Sequence, residues 1–258
     1  MKKALKKSFQ KENSRFGIRK PAFLSGISII MPALNEEKNI RAAVSNVFRA
    51  LKKYNLRGDV VVVDDGSTDQ TPIVLTEIKK EFAGLQVIRN NTPSGIGGAF
   101  LSGVMHARRK AVVMIPGDDE NKPEDVLKYL DLIDRVDIVV PFVHNSELRN
   151  RWRRLISSFF RFIISTSFGT SLNYYNGNVI YKTRVIQSLP IRSRGFFYQA
   201  EILIRALRKG ALFAEVPVFL KNRSFGVSKA VSFKSLRSVA IDFLCLFWEI
   251  HFQRVEGA

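Results

Sequence analysis

Val60-Val61-Val62-Val63-Asp64-Asp65-Gly66-Ser67-Thr68-Asp69 runs four valines straight into acids and turn formers. An uninterrupted β-branched run of this length, bounded by turn residues, reads as a strand buried on both faces, as in parallel sheets. Moving outward, similar runs occur at Ile27–Met31, Leu85–Ile88, Ala111–Ile115 and Val136–Val140. Amphipathic helical patterns occupy about 36–53, 70–82, 97–109 and 123–134 between them. Regular alternation of strand and helix implies a parallel sheet with right-handed crossovers, so the expected fold class is α/β, a mostly parallel sheet flanked by helices. Ligands of such sheets bind beyond the carboxyl ends of the strands.

Four strand ends carry distinctive residues. Asp64 and Asp65 close the valine run, where a buried carboxylate is costly unless something pairs with it. Ser67 and Asp69 also suit capping of the following helix, and Glu36 and Glu37, after Met31-Pro32-Ala33-Leu34-Asn35, suit the positive end of theirs. Gly95-Ile96-Gly97-Gly98-Ala99 precedes a helix and suggests either a phosphate-cradling turn or close packing of loop on sheet. Phe100 stands where a dinucleotide fingerprint has its third glycine. The last strand end is Met114-Ile115-Pro116-Gly117-Asp118-Asp119-Glu120. Residues two apart in an extended loop point the same way, so Asp118 and Glu120 can offer carboxylates to one hard divalent cation, Mg or Mn. The alternative is a solvated acidic turn ahead of the helix near Pro123.

The chain has 258 residues, 46% hydrophobic and 25% charged, as in an ordinary globular protein, but its formal net charge is +18. That excess points to an anionic partner. Cys245 is the only cysteine, which excludes an intrachain disulfide and a thiolate metal site built from this chain. A reducing, cytoplasmic location is expected. Residues 1–26 form a basic extension containing Lys2, Lys3, Lys6, Lys7, Lys11, Arg15, Arg19 and Lys20. The apolar stretch from Ala22 to Leu34 has no cleavage pattern and is read as the first core strand rather than as a signal peptide. Beyond Pro141 a basic aromatic helix near 152–168 is expected. A strand at 179–181, a helix at 199–209, a strand at 213–219 and an amphipathic helix at 231–258 follow, the last carrying Lys234, Arg237 and Asp242 opposite its aromatic side. These two aromatic helices suit a bilayer interface, a core or a dimer contact.

Taken together, these segments resemble the family-2 inverting glycosyltransferases of the GT-A fold, and most of all the dolichol- and polyprenol-phosphate mannose or glucose synthases. The resemblance rests on Ile29-Ile30-Met31-Pro32-Ala33-Leu34-Asn35-Glu36, Val62-Val63-Asp64-Asp65-Gly66-Ser67, the acidic loop and Arg223-Ser224-Phe225-Gly226-Val227-Ser228-Lys229. It covers about 27–230, the catalytic domain, with a nucleotide-binding half at 27–141 and an acceptor half at 142–230. It implies that Pro32, Leu34, Glu36, Val63 and Asp65 hold the nucleotide base and ribose. Gly117 and Asp118 then lie on the donor sugar-diphosphate, Asp118 and Glu120 bind the metal, and Arg223 and Lys229 meet phosphates. Glu201 matches a family acid on the acceptor side.

Two departures stand out. Pro116 replaces the first aspartate of the usual Asp-x-Asp pair, and Tyr174-Tyr175-Asn176-Gly177-Asn178 replaces a Thr-Ser-Gly-Phe-Arg-like stretch. The expected reaction is an in-line displacement at the anomeric carbon of a nucleotide-diphosphate sugar, with a polyprenyl phosphate at a membrane surface as acceptor. A phosphate acceptor needs no base; a hydroxyl acceptor would call on Glu201 or Asp119, beside the catalytic Asp118. Rival readings are a binding protein without transfer activity and a nucleic-acid module. The latter lacks any recognition signature, so no nucleic-acid partner is expected, while a homo-oligomer is compatible with the apolar helices.

Overall fold

The valine run becomes β2 (Gly58–Asp64), parallel to β1 (Ile27–Ala33) on one side and to β3 (Leu85–Arg89) on the other. The computed structural model describes residues 26–145, 151–219 and 233–253. Beyond β1 the sheet continues through β4 (Ala111–Met114), β6 (Ile180–Lys182), β5 (Ile138–Val143) and β7 (Phe213–Val218), in the order β3-β2-β1-β4-β6-β5-β7. Only β6 runs against its neighbours, β4 and β5. The boundary expected at 141/142 falls inside β5, which pairs with β7, so both halves share one sheet.

Side-chain alternation divides the core into two layers. Ile27, Ile29, Met31, Val60, Val62, Ala111 and Val113 face α1 (Ile40–Lys53), α2 (Thr71–Glu81), α4 (Pro123–Leu127) and the 3-10 turn Leu130–Asp134. Ile30, Val61, Val63, Val112 and Met114 face α3 (Gly95–Met105), α5 (Arg151–Phe168), α7 (Tyr198–Arg208) and α8 (Phe233–Phe252). A short α6 (Thr183–Gln187), which hydrophobic periodicity does not announce, follows β6. On α1, Ile40, Ala43, Val44, Val47, Ala50 and Leu51 are buried, the stripe expected of a helix lying on a sheet.

Two helices have other bounds than the pattern suggests, for local reasons. Helix α1 begins at Ile40 rather than near 36, because Asn35 takes a left-handed backbone (φ 58°) and the next amides bond to another loop. Helix α3 ends at Met105, where the buried Ser28 Oγ accepts the Arg108 and Arg109 amides and turns the chain into β4. No described helix is long and apolar enough to cross a membrane.

Candidate active site

The loops after β1 and β2 are laced together beyond the strand ends. Ser67 Oγ accepts the Asn35 amide (2.9 Å), Thr71 Oγ1 the Glu36 amide (2.8 Å) and Asp69 Oδ2 the Glu37 amide (3.2 Å). In return Asn35 Oδ1 accepts the Thr68 amide and Glu37 Oε2 the Gln70 amide. Ser67 therefore braces the neighbouring loop and does not cap α2. Asp69 does both, since its Oδ1 accepts the Thr71 amide at 3.0 Å. Burial pushes the Asp69 carboxyl upward, but hydrogen bonds from Thr71 and the Glu37 amide outweigh it and hold the pKa below its usual value. The bracing leaves Leu34 40% exposed at the rim while Pro32 is buried beside it.

Asp64 and Asp65 solve their burial differently. Asp64 accepts the Ser67 amide through Oδ1 (2.9 Å), and its Oδ2 lies 3.6 Å from Arg89 Nε. Asp65 is turned toward α3: its oxygens accept the Ser94 amide (2.9 and 3.0 Å), Ser94 Oγ (2.7 Å), the Gly95 amide (3.0 Å) and Asn90 Nδ2 (2.7 Å). The amides of Gly97 and Gly98 are taken in turn by the Arg194 carbonyl, at 2.8 and 3.3 Å. The glycine-rich turn is thus not a phosphate cradle. Its anion is Asp65, and its glycines serve close packing: a Cβ on Gly97 would come 2.7 Å from Tyr198 Cβ and 2.9 Å from the Arg194 oxygen.

The acidic loop after β4 continues alongside β1, with the Gly117 amide donating to the Pro32 carbonyl at 3.0 Å. Glycine eases this approach, because a Cβ would sit 2.7 Å from Ile40 Cδ1 and 3.3 Å from Ala33 Cβ and push the Ile40 side chain aside. Asp118 Oδ1 accepts the Glu120 amide (3.0 Å), folding the loop so that both residues stay together at the β1/β4 switch point. Asp119 occupies a left-handed position (φ 56°) and its Oδ1 is bound by Asn46 Nδ2 of α1 at 2.7 Å. That turns Asp119 away from the role of base. Among the described residues no group of three or more metal-type side chains converges. Two hard carboxylates on one loop fit a divalent ion that completes its shell with diphosphate oxygens and water.

Glu201 also departs from expectation. It is 3% exposed, its Oε1 is 2.8 Å from Arg205 Nε, and its two oxygens accept the Arg192 amide (3.2 Å each) while Oε2 accepts the Ser193 amide (2.8 Å). A carboxylate so engaged is a structural clamp, not a base open to an acceptor. The Val63 side chain is fully buried in the core and offers no exposed surface to a nucleotide. Arg223 and Lys229 lie outside the described residues. Sequence reasoning missed Asn46, Asn90 and Ser94, polar residues that aim Asp119 and Asp65. No local pattern marks them, because their partners are distant in the chain.

The model for Glycosyl transferase family 2 matches residues 28–190, spanning every strand end just described. The chain belongs to glycosyl transferase family 2. This glycosyltransferase is 27% identical to the polyprenol monophosphomannose synthase of Mycolicibacterium smegmatis, over 78% of this chain and 79% of that protein. It is 26% identical to the dolichyl-phosphate β-glucosyltransferase of Saccharomyces cerevisiae, over 74% of this chain and 66% of that one. Among solved structures, the transferase superposes on mannosyl-3-phosphoglycerate synthase from Rubrobacter xylanophilus with a TM-score of 0.70 at 18% identity, covering 90% of this chain and 77% of that one. Glucosyl-3-phosphoglycerate synthase from Mycobacterium tuberculosis, solved with Mg2+ and uridine-diphosphate, gives 0.65 at 20% identity, over 86% and 79%. These superpositions establish the GT-A fold of the transferase.

Proposed function

We propose that this transferase moves a sugar from a nucleotide-diphosphate sugar to a polyprenyl phosphate, using a divalent Mg or Mn ion held by Asp118 and Glu120. The observation that carries the reading is the placement of the 117–120 loop against Pro32 at the β1/β4 switch, with the braced β1 and β2 loops beside it. Pro32, Leu34 and Glu36 are the candidate floor and rim for the nucleotide, Gly117 lets the loop lie close to them, and Asp65 fixes the adjoining wall. Val63 would contribute backbone alone. Arg223 and Lys229 are proposed to meet phosphates.

An acceptor phosphate oxygen would attack the anomeric carbon in line. A new carbon–oxygen bond forms as the bond to the diphosphate breaks, the nucleoside diphosphate departs with the electron pair, and the anomeric centre inverts. The bound ion would supply charge neutralisation at the leaving diphosphate. Because the attacking phosphate is already ionised, no general base is required. The engagement of Asp119 by Asn46 and of Glu201 by Arg205 is consistent with this. The acceptors named in the two relatives above, polyprenol and dolichyl phosphate, support the same choice.

The transferase would meet its lipid acceptor as a peripheral protein on the cytoplasmic face. Exposed Leu155, Phe159 and Phe162 on α5, and Ile241, Leu244, Trp248 and Phe252 on α8, recur at helical spacing and form apolar stripes suited to a bilayer interface. The deciding assay supplies a short polyprenyl phosphate, Mn2+ and a panel of nucleotide sugars. Lipid-linked sugar is expected for at least one donor. Transfer only to hydroxyl acceptors would overturn the acceptor, and absence of any nucleotide binding would overturn the donor site.

A further inference from the structure

The segment between α6 and α7 has almost no regular structure, yet several polar groups at its centre are held by the elements on either side. Glu201 of α7 takes the Arg192 and Ser193 amides. Helix α8 adds to this hold: Asp242 Oδ2 accepts Ser193 Oγ at 2.5 Å, and Glu249 binds Arg192 (3.2 Å) together with Arg205 of α7 (2.7 and 2.9 Å). A side chain at Gly195 would press on Ser238 Oγ of α8 at 3.2 Å. On its other side the same segment presents the Arg194 carbonyl to the Gly97 and Gly98 amides, in the first turn of α3. That turn is also the one held by Asp65 through Ser94 and Gly95. The first turn of α3 is therefore pinned at two points, one belonging to the proposed donor loops and one to the 192–195 segment that α8 holds.

We infer that α8 sets donor affinity, with Asp242 and Ser193 as positioning residues that act through the Arg194 carbonyl and α3 on Asp65. The inference rests on the donor site proposed above. Losing the Asp242–Ser193 bond leaves the 192–195 segment tied to α8 through the pair of exposed Arg192 with Glu249, so the Arg194 carbonyl holds the two α3 amides less firmly and the seat of Asp65 loosens. None of these residues needs to touch substrate. The same path explains why an acid on the polar side of α8, Asp242, is turned inward rather than to solvent.

Titration calorimetry with UDP and with GDP, each with Mn2+, on full-length wild type, Ser193→Ala, Asp242→Ala and the double variant tests it. Each single variant should weaken nucleotide binding at least about fivefold, the low end of measured site-to-site coupling. The double variant should be no weaker than either, since both break one link. Asp242→Asn, which keeps an acceptor for Ser193, should recover most of the affinity. Hydrogen exchange should show the Gly97 and Gly98 amides losing protection in the alanine variants. Unchanged affinity, with exchange altered only in α8, would show a local structural pin and overturn the inference. If wild type binds neither nucleotide, the donor reading fails, and unchanged exchange at 95–98 would then overturn the coupling by itself.

Discussion

Asp65 caps α3 from another strand: its two carboxylate oxygens share the amide of Ser94, at 2.9 and 3.0 Å, while Oδ1 also receives the Ser94 hydroxyl at 2.7 Å. A negative charge at a helix N-terminus is favoured by the helix dipole and by amides that lack intrahelical partners. Here that charge is supplied by the protein, so the Asp64-Asp65 strand end and the glycine-rich turn form one structural unit. Replacing Asp65 by Ala should cost about 0.5–2 kcal/mol, the scale of losing a helix cap, because the half-buried Asn90 and Ser94 donors lose their acceptor. Urea denaturation measures this, and Asp65→Asn should lose less.

The glycine-rich turn should be intolerant where backbone is the neighbour. Gly97→Ala places a Cβ 2.9 Å from the Arg194 oxygen and 2.7 Å from Tyr198 Cβ, neither of which can swing aside. Overpacking of this kind typically costs about 1–3 kcal/mol. Thermal melts should show the loss, and an unperturbed melt would mean the two segments separate easily.

Asp118→Asn should leave stability nearly unchanged and lower transfer about 100-fold, the scale of losing one preorganised electrostatic stabiliser. Pro116→Asp restores a carboxylate two residues earlier and should lower the Mn2+ concentration needed for half-maximal transfer. Titrating Mn2+ into chelator-treated protein reads both effects.

Hydrogen bonds from Arg205 hold the Glu249 carboxyl below its usual value of 4.5, against the opposing effect of burial. A depressed folded-state pKa contributes stability that is present above the unfolded value and disappears as pH falls through the folded one. Stability should therefore decline as pH drops below 4.5, and Glu249→Gln should be less stable at neutral pH with a shallower decline across that window. Denaturation midpoints from neutral pH downward give the comparison.

Trp248 and Phe252 stack at 4.7 Å on the exposed side of α8. If that side meets a bilayer, the fluorescence attributable to Trp248 should shift to the blue with anionic vesicles, and Trp248→Ala with Phe252→Ala should leave more protein in the supernatant after co-sedimentation. Partitioning that ignores both substitutions would place the contact elsewhere.

The architecture was readable because hydrophobic burial leaves a periodic record. The valine run of β2, the continuous apolar runs of β1 and β4 and the i, i+3, i+4 stripe of α1 each state which faces are inside, with no need to know the partner. The acids at strand ends were readable for a related reason, since ionisable groups abutting buried strands are costly and so conspicuous.

Direction was not readable. Asp64, Asp65, Asp118, Asp119, Glu120 and Glu201 all stand out from sequence as acids near the site, but Asp65 is claimed by Ser94, Asp119 by Asn46 and Glu201 by Ser193 and Arg205. The loop with Asp118 and Glu120 keeps its place beside Pro32 because Gly117 lets it approach. By itself, then, the sequence determined the α/β sheet, its family resemblance and the strand-end loops proposed to carry the chemistry. The tertiary structure alone decided which carboxylates brace those loops, because a hydrogen bond depends on partners that folding brings together from tens of residues away.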